Sequence, residues 1–208
     1  NIGLSIGTDR YYQYMKDFGL RTKSGVDLQG EAVGVAAPEN DFKTIDLASY
    51  AFGQNFNITP IALVAAQAAC VNGGYLYEPY VVEQVVGDDG TVLYQHDNTP
   101  VRQVISEETS DKICEILEKV VNDPVDGTGK NAYVAGYRIG GKTGTAQISK
   151  NQSDNAAFVA FAPLNDPEIV VACVIEKGVT GLNTTPAVRA AMECYFGLGQ
   201  WAKPEVSE

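Results

Sequence analysis

The chain has a single histidine, no Cys-x-x-Cys pair, and four cysteines scattered at positions 70, 114, 173 and 194. Zinc sites draw on clustered cysteine and histidine ligands, so this scarcity argues against one. Cys70, Cys114, Cys173 and Cys194 each sit among apolar neighbours and are expected to pack as small hydrophobes, not as a disulfide framework. Basic residues are also few: 15 Lys and Arg stand against 26 Asp and Glu, a formal net charge of −11. There is no basic run and no basic–aromatic interleaving, which argues against a nucleic-acid partner. The acidity reads instead as a self-repelling, soluble surface. The longest apolar run, Ile61 to Val71, is interrupted by Gln67 and is too short to span a bilayer. Asn1 to Gly7 lacks the basic flank and the length of a signal peptide. With no low-complexity linker and no repeat, the 208 residues, 45% hydrophobic, read as one domain with a sizeable core.

What is present has the rhythm of an α+β fold. Thr8 or Asp9 is expected to cap a helix from Arg10 to about Phe18, stopped by Gly19. Arg21 to Pro38 is a Gly-rich connection, and Leu47 to Asn57 a loop or short helix. Thr59-Pro60 is an N-cap followed by proline at the first helical position. The helix it opens, Ile61 to Val71, is apolar on nearly every side and should be buried, with Asn72-Gly73-Gly74 ending it. Tyr80 to Val86 and Thr91 to Tyr94 read as a hairpin around Asp88-Asp89-Gly90. Ser106 caps a helix with Ile113, Ile116, Leu117, Val120 and Val121 on one face. Three strands follow, about Tyr137 to Ile148, Ala156 to Ala162 and Ile169 to Glu176, and then a helix from Thr185-Pro186 to about Phe196. Antiparallel strands followed by a covering helix give a layered α+β domain.

The chemistry concentrates in Gly140-Gly141-Lys142-Thr143-Gly144-Thr145-Ala146-Gln147. As a strand, this segment presents a cation, two hydroxyls and an unobstructed backbone along one edge. Lys142 can hold a carboxylate through a charge-assisted contact, and Thr143 and Thr145 can donate to the same anion. Gly144 has no Cβ, so a substrate backbone can lie close. A competing reading exists: Gly136 to Thr143 fits the phosphate-binding pattern G-x-x-x-x-G-K-[ST]. That pattern needs a helix after it. The residues after Thr143 show no apolar stripe at helical spacing, whereas Tyr137 to Lys142 alternate as a strand does.

Lys-Thr-Gly is a signature of penicillin-binding proteins and serine β-lactamases, and further blocks make the resemblance specific. The chain resembles the C-terminal part of the transpeptidase domain of a class B penicillin-binding protein. Ser24-Gly25-Val26-Asp27-Leu28-Gln29-Gly30-Glu31 is similar to the family's T-G-I-D-L-P-G-E. Phe52-Gly53-Gln54 with Thr59-Pro60 is similar to its F-G-Q-G…T-P, and Asn72-Gly73-Gly74 before Tyr77-Glu78-Pro79 to its N-G-G…P turn. Gly127-Thr128-Gly129-Lys130 precedes the Lys-Thr-Gly block, and Phe158 to Pro163 resembles the strand after it. Gln29 replaces a usual proline, and Asn55 stands where glycine is usual; asparagine tolerates a left-handed backbone.

The resemblance implies a partial penicillin-binding/serine β-lactamase-like transpeptidase fold. It also implies a nucleophilic serine in S-x-x-K and a later S-x-N, both before Lys-Thr-Gly. No serine here has lysine three residues on; Thr109 to Lys112 has the spacing, but with threonine and inside a helix. Ser153-Asp154-Asn155 is a literal S-x-N but follows the Lys-Thr-Gly strand and reads as a loop. The expectation is a piece, residues 1–208, that starts just after both motifs and is inactive alone. By resemblance the parent is a peptidoglycan D,D-transpeptidase acting through an acyl-serine. Lys142, Thr143, Gly144 and Thr145 would bind substrate, and the Thr145 backbone N–H would complete the oxyanion hole. Implied partners are stem peptides ending in D-Ala-D-Ala, β-lactam antibiotics and cell-wall synthesis proteins, with no metal or cofactor. The implied location is the extracytoplasmic face of the bacterial membrane, on an anchored parent. The alternative of a different class is a truncated scaffold that binds cell-wall partners without chemistry.

Overall fold

Short helix α1 (Ile2–Ile6) leads through Gly7 into α2 (Thr8–Asp17). Gly7, not Thr8 or Asp9, occupies the cap, with φ 84°, a conformation glycine reaches without a Cβ penalty. Asp9 falls in the first turn, where a carboxylate faces the positive end of the helix. A computed structural model describes residues 2–148 and 153–201 of the chain. Its contacts gather into two compact units, Asn1–Ser110 and Asp111–Glu208.

In the first unit, α3 (Thr44–Tyr50) starts earlier than the sequence suggests, because the Asp46 carboxylate accepts the Lys43 N–H at 2.9 Å. Tyr12, Phe42, Tyr50 and Phe56 form a chain of aromatic contacts, with centroids 5.3, 5.2 and 4.8 Å apart. Asn55 is left-handed, φ 68°, as expected of the residue standing in for glycine. Helix α4 (Pro60–Val71) opens as expected, with Thr59 Oγ1 accepting the Ala62 N–H at 3.3 Å. Ala62, Ala66, Ala69 and Val71 are buried, and the rest from Ile61 onward is half-buried.

Four short strands follow: β1 (Tyr75–Leu76), β2 (Gln84–Val86), β3 (Val92–Gln95) and β4 (Arg102–Gln103). They form two antiparallel pairs, β1 with β4 and β2 with β3. The hairpin is shorter than the pattern of valines suggests. The Asp27 carboxylate takes the N–H groups of Val81 and Val82, each at 2.8 Å, so these residues do not enter the ladder. Helix α5 (Glu107–Asn122) is the amphipathic helix expected after Ser106, whose Oγ accepts the Thr109 N–H at 3.2 Å. Its buried line runs through Ser110, Cys114 and Val121. Ile116, expected on that face, is 64% exposed: at 3.6 residues per turn it falls well away from that line.

The second unit is built on a three-stranded antiparallel sheet, β5 (Gly140–Ala146), β6 (Asn155–Ala162) and β7 (Ile169–Ile175), in the order β5-β6-β7. Helix α6 (Thr185–Tyr195) covers it. Val121, Ala132, Val134, Ile139, Phe158, Ala160, Ala162, Val188 and Met192 form one buried cluster. Each side chain as large as Phe158 contributes about 2–3 kcal/mol by leaving water. The Ala162-Pro163 bond is cis. Of the cysteines expected to pack as hydrophobes, Cys114 is buried, Cys70 and Cys173 are half-buried, and Cys194 is exposed. Cys194 departs because it lies on the side of α6 away from Val188 and Met192.

Candidate functional site

The Lys-Thr-Gly segment is strand β5, and no helix begins at Lys142 or Thr143. The phosphate-loop reading, which needs one, falls. β5 pairs with β6 from Gly140↔Phe161 to Ala146↔Asn155 and is the end strand of its sheet. Side chains alternate, so Thr143 and Thr145 stand with Phe158 and Ala156, and Lys142 stands on the opposite face with Val159. The cation and the hydroxyls therefore meet only along the edge. Lys142 folds over that edge, its Nζ donating to the Thr143 carbonyl at 2.6 Å. This places the Thr143 carbonyl on the side turned away from β6. By the two-residue repeat of an antiparallel ladder, the backbone N–H of Thr145 turns the same way. Lys142, Gly144 and Thr145 are exposed, and Thr143 is half-buried.

Both hydroxyls are held from behind. Thr143 Oγ1 donates to Thr128 Oγ1 at 3.1 Å. Thr145 Oγ1 accepts the Gly181 N–H at 3.1 Å, which leaves its own proton free to give. The turn bearing Gly181 is firmly tied. Thr184 and Thr185, both fully buried, donate to the carbonyls of Gly181 and Leu182 at 2.5 and 2.7 Å, and Asn183 donates to Gly178 at 2.7 Å. Upstream, Arg138 clasps Glu118 through two bonds of 2.6 and 2.7 Å and reaches Asn165 at 2.8 Å. The guanidinium holds the Glu118 carboxyl below the usual range and is itself raised by the pair.

Other motif residues turn out to be structural. In the Ser24–Glu31 block, Glu31 accepts both the hydroxyl and the backbone N–H of Ser24 at 2.6 Å, which lowers its pKa. Asp27 is lowered by the N–H groups of Val82 and Val81. Thr109 shares a 2.9 Å bond with Ser106 in the first turn of α5, and buried Ser110 donates to the Cys70 carbonyl at 2.9 Å. In the literal S-x-N, Asn155 accepts the N–H of left-handed Lys177 at 3.1 Å, closing the turn beyond β7. Among the described residues no cluster of His, Cys, Asp or Glu is arranged to hold a metal, and no helix is long and apolar enough to cross a membrane.

Thr128 and Gly181 were not singled out by sequence reasoning as supports of the two hydroxyls. Gly127-Thr128-Gly129 carried a signal, a threonine fixed between glycines, but its target lies 15 positions on. Nothing local marks Gly181.

The penicillin binding protein transpeptidase domain matches residues 1–193. The chain is 43% identical over 183 residues to stage V sporulation protein D of Bacillus subtilis, covering 85% of this chain and 28% of that protein. It is 29% identical over 226 residues to the peptidoglycan D,D-transpeptidase MrdA of Haemophilus influenzae, covering 94% of this chain and 34% of that protein. It therefore spans about a third or less of these relatives' length. Among solved structures, penicillin-binding protein A of Mycobacterium tuberculosis, an imipenem acyl-enzyme complex, superposes with a TM-score of 0.78 at 25% identity, covering 93% of this chain and 43% of that one. Order of motifs, fold and sequence agree: this chain belongs to the penicillin-binding protein transpeptidase domain family.

Proposed function

We propose that residues 1–208 are the C-terminal part of a serine-type peptidoglycan D,D-transpeptidase domain whose S-x-x-K and S-x-N segments lie outside this chain. The open edge of β5 carries the reading. Along it lie one ammonium, two hydroxyls whose backs are already bonded, and an outward Thr145 N–H. That is an equipped seat for a peptide carboxylate with an adjacent carbonyl.

In this mechanism a stem peptide lies along β5 as an added strand, close against Gly144. Lys142, Thr143 and Thr145 hold the terminal carboxylate. The serine attacks the penultimate D-Ala carbonyl, and a nearby lysine takes its proton. The negative oxygen of the tetrahedral intermediate is received by the Thr145 N–H. The C–N bond breaks as the lysine returns its proton to the departing nitrogen and terminal D-Ala leaves; an amine of a neighbouring stem then attacks the acyl-serine, the C–O bond to serine breaks, and the amine's proton passes back to the serine oxygen. β-Lactams present a strained amide and a carboxylate to the same groups and acylate the same serine. The parent is proposed to be membrane-anchored, to work on the extracytoplasmic face, and to meet cell-wall synthesis proteins there.

The test uses a fluorescent penicillin and intact-mass spectrometry. The full-length protein should gain one covalent adduct on an S-x-x-K serine. The 208-residue chain, which has no such serine, should gain none. An adduct on Ser153 or Thr109 would overturn the assignment of the motifs. A full-length protein that binds cell-wall material yet forms no adduct would favour the non-catalytic scaffold.

A further inference from the structure

We propose that Thr128 is a positioning residue for the carboxylate seat: it supplies the hydrogen bond that frees the Thr143 proton for the ligand. The proposal rests on the transpeptidase reading and concerns the same site. A threonine hydroxyl has one proton to give and two lone pairs to receive with. In the structure Thr143 Oγ1 donates to Thr128 Oγ1 at 3.1 Å. In that direction Thr143 has no proton left for an anion. When a carboxylate arrives, Thr143 turns its proton to the anion and Thr128 donates in its place. The pair stays bonded, and the Thr143 oxygen accepts while its proton serves the ligand. Thr145 is supported in the same sense by the Gly181 N–H, a donor that cannot reverse.

The loop that holds Thr128 leaves it little freedom. Gly127 donates to the Asp123 carbonyl at 3.1 Å and Gly129 to the Val120 carbonyl at 2.8 Å. A Cβ on Gly127 would lie 2.4 Å from the Asp123 oxygen, and one on Gly129 would lie 2.9 Å from the Phe158 ring. Both glycines are buried while Thr128 between them is exposed. The Asp123 carboxylate gathers the N–H groups of Val125 and Asp126 at 2.9 and 3.0 Å, and Lys130 reaches the Pro124 and Val125 carbonyls at 3.5 and 3.3 Å. The loop is thus anchored to the end of α5 on one side and to the core phenylalanine on the other. It holds one hydroxyl against Thr143.

The experiment measures acylation of the full-length protein by stopped flow, with benzylpenicillin and with its methyl ester, which lacks the anionic carboxylate. Thr128→Val should lower the second-order rate constant for benzylpenicillin roughly 3- to 10-fold, the size of one neutral hydrogen bond. The loss should fall mainly on the concentration dependence, and the ester should change by less than about 2-fold. Thr128→Ser should restore the wild-type rate, and Thr128→Val should add nothing in a Thr143→Val background. If valine disturbs the loop, shown by a lowered urea midpoint, Thr128→Ala carries the same comparison. Unchanged benzylpenicillin acylation overturns the proposal. So does an equal loss with both probes, or a full further loss in the Thr143→Val background. A wild-type protein that forms no adduct overturns the transpeptidase reading and this proposal with it. The wild-type control separates the two failures.

Discussion

Two glycines that meet at the site should respond to the same substitution in opposite ways. Neither Gly144 nor Gly181 has a left-handed backbone, so alanine is tolerated by φ and ψ at both, and surroundings decide. At Gly181 a Cβ would lie 2.7 Å from the Gly144 carbonyl oxygen, 3.1 Å from that of Ala157 and 3.2 Å from the Gly144 nitrogen. All three are backbone atoms of a paired ladder and cannot swing aside. Overpacking of this kind costs about 1–3 kcal/mol. Displacing the turn also weakens the Gly181 N–H bond to Thr145, about 1 kcal/mol. Stiffening the unfolded chain returns about 0.4–1 kcal/mol. Gly181→Ala should therefore destabilise by roughly 2 kcal/mol. At Gly144 a Cβ would meet the Ala157 Cβ at 3.6 Å and the Ala157 oxygen at 3.8 Å, ordinary contact. Gly144→Ala should leave stability within about 0.5 kcal/mol. In the full-length protein, under the proposed binding mode the methyl would crowd a ligand backbone laid against β5, and acylation should fall roughly 10- to 100-fold. Urea melts with unchanged slope give the stabilities, and stopped-flow acylation gives the rates. A Gly144→Ala protein that acylates at the wild-type rate would refute the close approach of ligand to β5. Equal destabilisation at both sites would refute the contact argument.

Three further outcomes follow from named contacts. Lys142→Ala in the full-length protein should slow β-lactam acylation by roughly 10- to 150-fold, the worth of one charge-assisted bond, and cost the fold under about 0.5 kcal/mol because the lysine is exposed; unchanged acylation would remove it from the seat. Asp27 and Glu31 have folded pKa values below the usual range, so their stabilisation is complete only above the ordinary carboxylate range, about pH 5, and is lost as pH falls through the lowered values. Urea midpoints measured across acid pH should decline less steeply in Asp27→Asn, and an unchanged slope would show that its two backbone bonds do not matter. Arg138→Ala should lower the urea midpoint only slightly, since the pair with Glu118 is partly exposed and screened by solvent; a loss that persists in a Glu118→Gln background would point to packing of the arginine stem instead.

Much of the sheet was legible because period-2 alternation and turn residues are local signals. β5, β6 and β7 came within about three residues of their expected ends. Thr59-Pro60 announced α4, and Asn55 announced its own left-handed turn. What failed to show was long-range. Val81 and Val82 look like strand residues and are drawn off by a carboxylate 54 and 55 positions away. The candidate site was half visible: Lys142, Thr143, Gly144 and Thr145, the groups proposed to meet a ligand, sit in one motif, but the supports of its hydroxyls come from Thr128 and Gly181 on either side of it in sequence. The alternation that identified the strand also puts Lys142 on the other face from its partners, a geometry a linear motif does not display.

An end strand with an unpaired edge is a template for any other chain that is extended and nearby. A catalyst that receives its substrate as an added strand cannot cover that edge, so it has to be made unattractive to copies of itself. β5 carries two features that do so. Its sequence Gly-Gly-Lys-Thr-Gly-Thr-Ala has three glycines and no β-branched aliphatic or aromatic residue, which makes it a poor partner for its own kind. Its lysine, folded onto the Thr143 carbonyl, puts a positive charge in the row where a second copy would have to bring an identical one. The cation proposed to seat an anionic ligand therefore also disfavours pairing of this edge with a second copy. Neutral replacements at position 142 should be watched for self-association as well as for lost acylation.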